Sequence, residues 1–313
     1  MRLDLRSFRQ LLDDIVVVAR RHARQVLPPV VLPIMICGVL LIVVQQRWMR
    51  EFTAAGPDDM GEFIAGFVGM MALAFATLFV YAILFGALTV FGMDAVAEDG
   101  RVPSLGRGLR FVLRPAVFGT MVLVGIATSL AMMMCFVPIL YVGPILTFVL
   151  PVMVAEDRVG IDAIRRSVDL AHFNPTGSAA DSVLLQLLCF SGVAMMINYI
   201  ASFVVQMPLT AATLFLTMRE SMSGEVPDPA RMMSSMMWLQ IPSVVLSSLV
   251  TVLIWLYWVF GICLMYREVR RRREATDLVA AVGEITGASP EDAAATAGGE
   301  AVGGAATDEP ASP

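Results

Sequence analysis

Few residues of this 313-residue chain could carry chemistry, and most of them sit in or beside long apolar blocks. A charge at the centre of a bilayer costs at least ~2.5–3.5 kcal/mol, so polar groups inside such blocks are the first places to look for function. Asp94 stands near the end of one block and Asp181 near the start of another. Both are close enough to a block edge to reach headgroups, which favours interfacial carboxylates over a proton or substrate site. Gln186 and Asn198 lie deeper, where amides hydrogen-bond between helices. These four make up the candidate intramembrane polar site. No deep Arg–Asp pair, Glu/His relay or pair of interrupted half-helices accompanies them. That argues against an ion-coupled transporter and leaves a passive or lipid-handling one open.

Catalysis in water has less to work with. The chain has two histidines, His22 and His172, and no lysine. Both histidines fall on arginine-bearing amphipathic stretches, where a solvated or headgroup-facing ring is expected. No GxSxG, P-loop, HExxH or GxGxxG motif occurs in a supporting context. Cys37, Cys135, Cys189 and Cys263 lie in apolar blocks without CxxC spacing, as buried small hydrophobes do. The segment 231–238, RMMSSMMW, puts four thioethers on one helical face, but without His or Cys among them it reads as a membrane-facing or helix-facing surface rather than a Cu(I) site. No catalytic residue, metal or cofactor is expected.

The elements that must position these groups are membrane helices. The chain is 58% hydrophobic and 16% charged, with a mean hydropathy of +0.76, where soluble domains are roughly half apolar and a quarter charged. Its apolar blocks predict six spans, near 26–46, 61–94, 115–134, 139–155, 180–204 and 241–266. The apolar stretch 209–218 is too short to cross and is expected to be re-entrant or interfacial. All 22 basic residues are arginines, and on this map 18 lie on one side of the membrane and four (Arg47, Arg50, Arg219, Arg231) on the other. Arginine-rich loops stay in the cytoplasm, so both termini are expected there, in a bacterial inner membrane. No cleavable signal-peptide pattern opens the chain. The fold class is therefore an all-α polytopic bundle. Its expected parts are an amphipathic cytoplasmic segment (1–25), a six-helix membrane domain (26–274) and an acidic, largely disordered tail (275–313). The tail holds seven acidic residues and no basic one, so the net charge of −5 becomes +2 once it is set aside.

The arginines of the richer side cluster at the exit of the last span (Arg267, Arg270–Arg273) and on three short stretches, 7–24, 104–113 and 160–172, each placed before a pair of spans. Each carries apolar residues at helical spacing: Phe8, Leu11, Leu12, Ile15 and Val16; then Leu105, Leu109 and Val112 behind an N-cap at Ser104; then Ile161, Ile164, Val168 and Ala171. The expectation is three units, each a surface helix followed by a membrane hairpin. On the third stretch Asp162 pairs with Arg166, and Arg165 with Asp169, at i,i+4 spacing. Arg107, Arg110, Arg165 and Arg166 are the candidate contacts to anionic headgroups, at ~1 kcal/mol per charge. The expected partners are thus the bilayer and its anionic lipids, with no nucleic acid. Small residues four apart at Gly61/Ala65/Gly69, Ala82/Gly86 and Gly125/Ser129 suit close helix packing, within the chain or in a homo-oligomer, and a membrane-protein partner is the other expectation.

The stretch 151–170, PVMVAEDRVGIDAIRRSVDL, carries a specific pattern: Pro151 at a span end, Glu156 and Asp157, Gly160, then Ala163, Arg165, Arg166, Ser167 and Leu170. It resembles the six-helix membrane domain of bacterial glycerophosphoryl diester phosphodiesterases and its stand-alone relatives. The end of the second block, GALTVFGMDAVAEDGRVPSLGRGL, fits the same pattern, and the resemblance extends over roughly residues 5–270. In the fused enzymes chemistry belongs to a separate soluble barrel, so the resemblance implies a membrane module without catalytic residues. A scaffold or accessory protein acting through lipid or protein partners is the expected role, with a carrier for a small or lipidic molecule as the alternative.

Overall fold

The computed structural model describes residues 8–54, 60–97, 102–134, 136–174, 182–223 and 229–286. Among them every regular element is an α-helix: α1 (Phe8–Ala54), α2 (Met60–Val96), α3 (Leu105–Val112), α4 (Pro115–Met134), α5 (Phe136–Leu146), α6 (Val149–Glu156), α7 (Ile161–Ala171), α8 (Val183–Ser223) and α9 (Pro229–Thr286). Five of these are long and apolar enough to cross a membrane: α1, α2, α4, α8 and α9. The chain is a multi-pass membrane protein by that measure. The fourth expected span is instead two short helices, α5 and α6, broken at Thr147–Phe148. Pro151 has no N–H to donate to the Thr147 carbonyl four residues back, so one bond that would have carried a single helix across the break is missing.

α1 runs across residue 25 without a break. One 47-residue helix passes through Pro28, Pro29 and Pro33, so the first amphipathic stretch and first span are continuous, unlike the separate α3 and α7. The reason is packing: Val26, Val30 and Ile34 are fully buried at i, i+4 and i+8, a stripe that runs straight across the prolines. The stretch 209–218 is likewise not a separate re-entrant segment. It continues α8 past Pro208. α9 extends to Thr286, so the first part of the acidic segment is helical. Ion pairs Glu268–Arg272 (3.0 Å) and Arg270–Glu274 (2.6 Å) brace the turns of α9 just before it. The remainder of the tail lies outside the described residues.

The helices pack at one end and separate towards the other. α9 is central and touches α1, α2, α6 and α8. Its buried run from Val252 through Val269 meets Leu84–Val96 of α2, Phe148–Met153 around the α5–α6 break, and Leu187 and Phe190 of α8. The close fit needs small residues. A methyl group on Gly261 would lie 2.1 Å from the Phe190 ring, and one on Gly92 2.9 Å from Val259. At the opposite end Gln46 donates to Gln240 (3.0 Å) and joins α1 to α9, while Ile64–Phe79, Ile126–Met134 and Met195–Phe215 present large exposed apolar side chains. That is the surface a bilayer would cover.

Candidate functional site: an arginine-lined basin

The packed end is built largely from the 151–170 segment. α6 stops at Glu156, and the chain leaves it through Asp157 in a left-handed conformation (φ 51°) and Gly160 (φ 68°, ψ −139°). Gly160 adopts a backbone that residues with a Cβ rarely take. Its N–H donates to the Thr120 hydroxyl at 2.8 Å, fixing the start of α7 against α4. Ser167 is fully buried and donates to the Ile145 carbonyl at 2.5 Å. That carbonyl is one of those left without a helical partner where α5 ends, so the hydroxyl satisfies a buried group that the break exposes. The buried line of α7 is consequently Ala163, Ser167, Leu170 and Ala171. Of the expected stripe, Ala171 is fully buried and Ile164 and Val168 pack half-buried against the core, while Ile161 is 62% exposed.

Glu156 is the hub of this end. Its carboxylate accepts from Arg166 Nε at 3.2 Å through both oxygens and from the Tyr266 hydroxyl at 3.0 Å, and it pairs with Arg158 Nε at 3.2 Å. Arg166 also pairs with Asp169 (3.2 Å), which Arg273 of α9 reaches at 2.8 Å. Burial pulls the Arg166 guanidinium down, but the hydrogen bonds and charges of Glu156 and Asp169 outweigh it and hold the group above its ordinary value. Arg166 is thus a structural cation bound to two carboxylates, not a free headgroup contact. The Asp162–Arg166 and Arg165–Asp169 pairs expected at i,i+4 do not form. Arg165 is exposed on α7, with no ion pair to a described residue.

A second cluster sits where α2 meets α3. Asp94 is 4% exposed, and its Oδ1 accepts from Arg107 Nη1 at 2.7 Å. It is a buried, paired carboxylate rather than one open to headgroups. α3 lies close on α2 because Gly108 presents no side chain to Ala87. Arg267 of α9 donates to the Val96 carbonyl and ties the end of α2 to α9. Two adjoining cavities flank the Asp94–Arg107 pair and share Val154 and Ala155. One, of about 470 Å³, is lined by Arg107, Arg110, Arg114, Ser104 and Asp157 among others. The other, of about 300 Å³, is lined by Asp94, Tyr266, Arg267 and Arg270.

Of the expected site residues, the structure brings Asp94, Arg107 and Arg110 together, while Arg165 and Arg166 lie on α7. Gln186 is half-buried in the first turn of α8, and Asp181 lies outside the described residues. Asn198 is exposed on α8 and makes no side-chain hydrogen bond to a described residue. Gln46 and Gln240 form an interhelical amide pair. His22 is not headgroup-facing either. Its ring packs on Phe91 (5.6 Å) and Phe260 (6.0 Å). His172 is exposed as expected, with Nε2 2.8 Å from the Tyr141 hydroxyl. Of the cysteines only Cys263 is fully buried; Cys37 is half-buried, Cys189 is exposed and Cys135 lies outside the described residues. The side chains of 231–238 also lie outside them, although that segment's backbone belongs to α9. Arg114 and Tyr266 were not legible as site residues. The one signal available for Arg114 was its place in an i, i+3, i+7 series with Arg107 and Arg110.

Comparison with protein-family models, with curated proteins and with solved structures gives no match.

Proposed function

We propose that this is a six-span inner-membrane protein with both termini in the cytoplasm, acting as a non-enzymatic scaffold or accessory protein through lipid or protein partners. The observation that carries the reading is how the carboxylates of the packed end are used. Asp94 is held by Arg107, Glu156 by Arg166 and Tyr266, and Asp169 by Arg166 and Arg273. These bonds join α2 to α3, and α6 and α7 to α9, so the groups chemistry would use hold helix ends together. The sixth crossing would be made by α5 and α6 jointly, since 136–156 is about 30 Å long at ~1.5 Å per residue. The arginine segments of 107–114, 158–166 and 267–273 share one end of the bundle, and the positive-inside rule assigns that end to the cytoplasm and to anionic lipid. The resemblance of 151–170 to the membrane domain of glycerophosphoryl diester phosphodiesterases supports the same role, and tight small-residue packing leaves room for homo-oligomers.

Purification in native lipid followed by mass spectrometry tests the proposal. Co-purifying lipid or a protein partner is expected, and a reproducible small polar ligand would count against it. A carrier is the second reading, favoured by the cavity that reaches Asp94. Under that reading Asp94→Asn abolishes uptake into proteoliposomes while the folded protein still accumulates.

A further inference from the structure

We infer that the 470 Å³ cavity over α3 is a binding site for the phosphate of an anionic lipid headgroup, gripped chiefly by Arg110 and Arg114; this rests on the membrane reading above. Arg107, Arg110 and Arg114 follow one another at i, i+3 and i+7, the first two on α3 and the third at the turn into α4, and all three line the cavity. Like charges at that spacing repel and weaken a short helix. Only one of the three is neutralised, because Arg107 is bound to Asp94. Arg110 and Arg114 have no ion pair among the described residues. The guanidinium of Arg114 lies 5.1 Å from the centre of the Phe111 ring, which restrains it without cancelling its charge. Asp157 is the one carboxylate on the wall. Ser104 adds a hydroxyl, and its side chain caps no backbone group of α3.

The chemistry favours phosphate. A guanidinium presents a planar fork of donors that matches phosphate oxygens two at a time, and two unpaired forks around one cavity suit a single anion with several oxygens. Position favours a lipid source. α3 connects the ends of two apolar helices, α2 and α4, and buries Gly108 and Val112 against the bundle, so its arginine face sits at the level where the spans leave the hydrocarbon.

The test uses the full chain in nanodiscs of phosphatidylcholine with a minority of phosphatidylglycerol, read by native mass spectrometry of retained lipid. Retention of phosphatidylglycerol over phosphatidylcholine is expected for the wild type. It should fall roughly tenfold or more in R110Q/R114Q, at ~1 kcal/mol per arginine, and stay within about twofold in the charge-matched R20Q/R24Q. R110K/R114K, which keeps the charge and loses the fork, should fall between. Equal losses in both Gln pairs would mean a diffuse basic surface and would overturn the site, as would no loss in either. Displacement of the lipid by millimolar inorganic phosphate alone would overturn the lipid source in favour of a free anion. Wild type that fails to partition with membranes at all would sink the membrane reading itself, whereas a membrane-bound R110Q/R114Q that retains lipid as before would sink only the site.

Discussion

Gly108 offers the sharpest check on how α3 is held. A Cβ at this position would lie 2.4 Å from the Ala87 carbonyl oxygen, 2.9 Å from its Cα and 3.0 Å from its carbonyl carbon. All three are backbone atoms of α2 and cannot swing aside. Ordinary carbon contacts lie at about 3.5–4.0 Å, so Gly108→Ala requires α3 to move back by about 1 Å, and a gap of that size forfeits up to half of each contact's attraction. The fully buried Val112 would lose part of its packing, and the Asp94–Arg107 bond would loosen. Overpacking of this kind costs about 1–3 kcal/mol. Alanine's better helix propensity returns about 1 kcal/mol, which leaves a net destabilisation of about 0–2 kcal/mol. Gly106, two residues away on the same helix, is the internal control: its Cβ would meet only the Ser104 hydroxyl, at 3.8 Å. Gly106→Ala should be neutral or mildly stabilising. Thermal unfolding of both variants in nanodiscs, followed by tryptophan emission, separates the two. If the two variants melt together, the close approach of α3 to α2 is not what holds this end.

Other consequences are as direct. Glu156→Ala leaves Arg166 with Asp169 alone in a largely buried site and should cost about 1.5–3 kcal/mol, while Tyr266→Phe removes one hydrogen bond and should cost about 1 kcal/mol. A double-mutant cycle between them should show coupling, and strict additivity would remove Glu156 as the hub. Ser167→Ala should lower stability by about 1–2 kcal/mol by leaving the Ile145 carbonyl without its donor, measurable in the same melts. Asn198→Ala should change nothing in the monomer. Gln46→Ala should cost about 0.6 kcal/mol, the typical worth of an interhelical hydrogen bond in a membrane, and the reverse ranking would restore Asn198 as the interhelical amide.

What was legible in the sequence was whatever depends on one segment at a time. The apolar blocks located α2, α4, α8 and α9 because hydropathy is a property of consecutive residues. The 151–170 pattern marked a real construction: Gly160 takes a backbone that favours glycine, Ala163, Ser167 and Leu170 face the core, and Glu156 gathers its partners. What failed was set by contacts between distant segments. α1 carries three prolines and stays continuous, with the stripe of Val26, Val30 and Ile34 buried against neighbouring helices. The fourth apolar block is broken at Thr147–Phe148, and Ser167 makes that break tolerable from 22 residues away. The choice between those two outcomes depends on which neighbour is present, which spacing alone does not encode. The Arg166 pairings were misjudged for the same reason: i,i+4 spacing offered Asp162, and the fold offered Glu156.

The central claim is that the arginine segments of α3, α7 and the end of α9 form one packed end on one face of the membrane, opposite the far ends of α1 and α8. Single cysteines at Arg165, Arg271 and Arg219, placed in a cysteine-free background and challenged in intact cells with a membrane-impermeant maleimide, test it most directly. Positions 165 and 271 should be protected together until the membrane is permeabilised, and position 219 should label from outside. Labelling of 219 and 271 from the same face would contradict the account, because α8 and α9 could not then cross as the bundle requires.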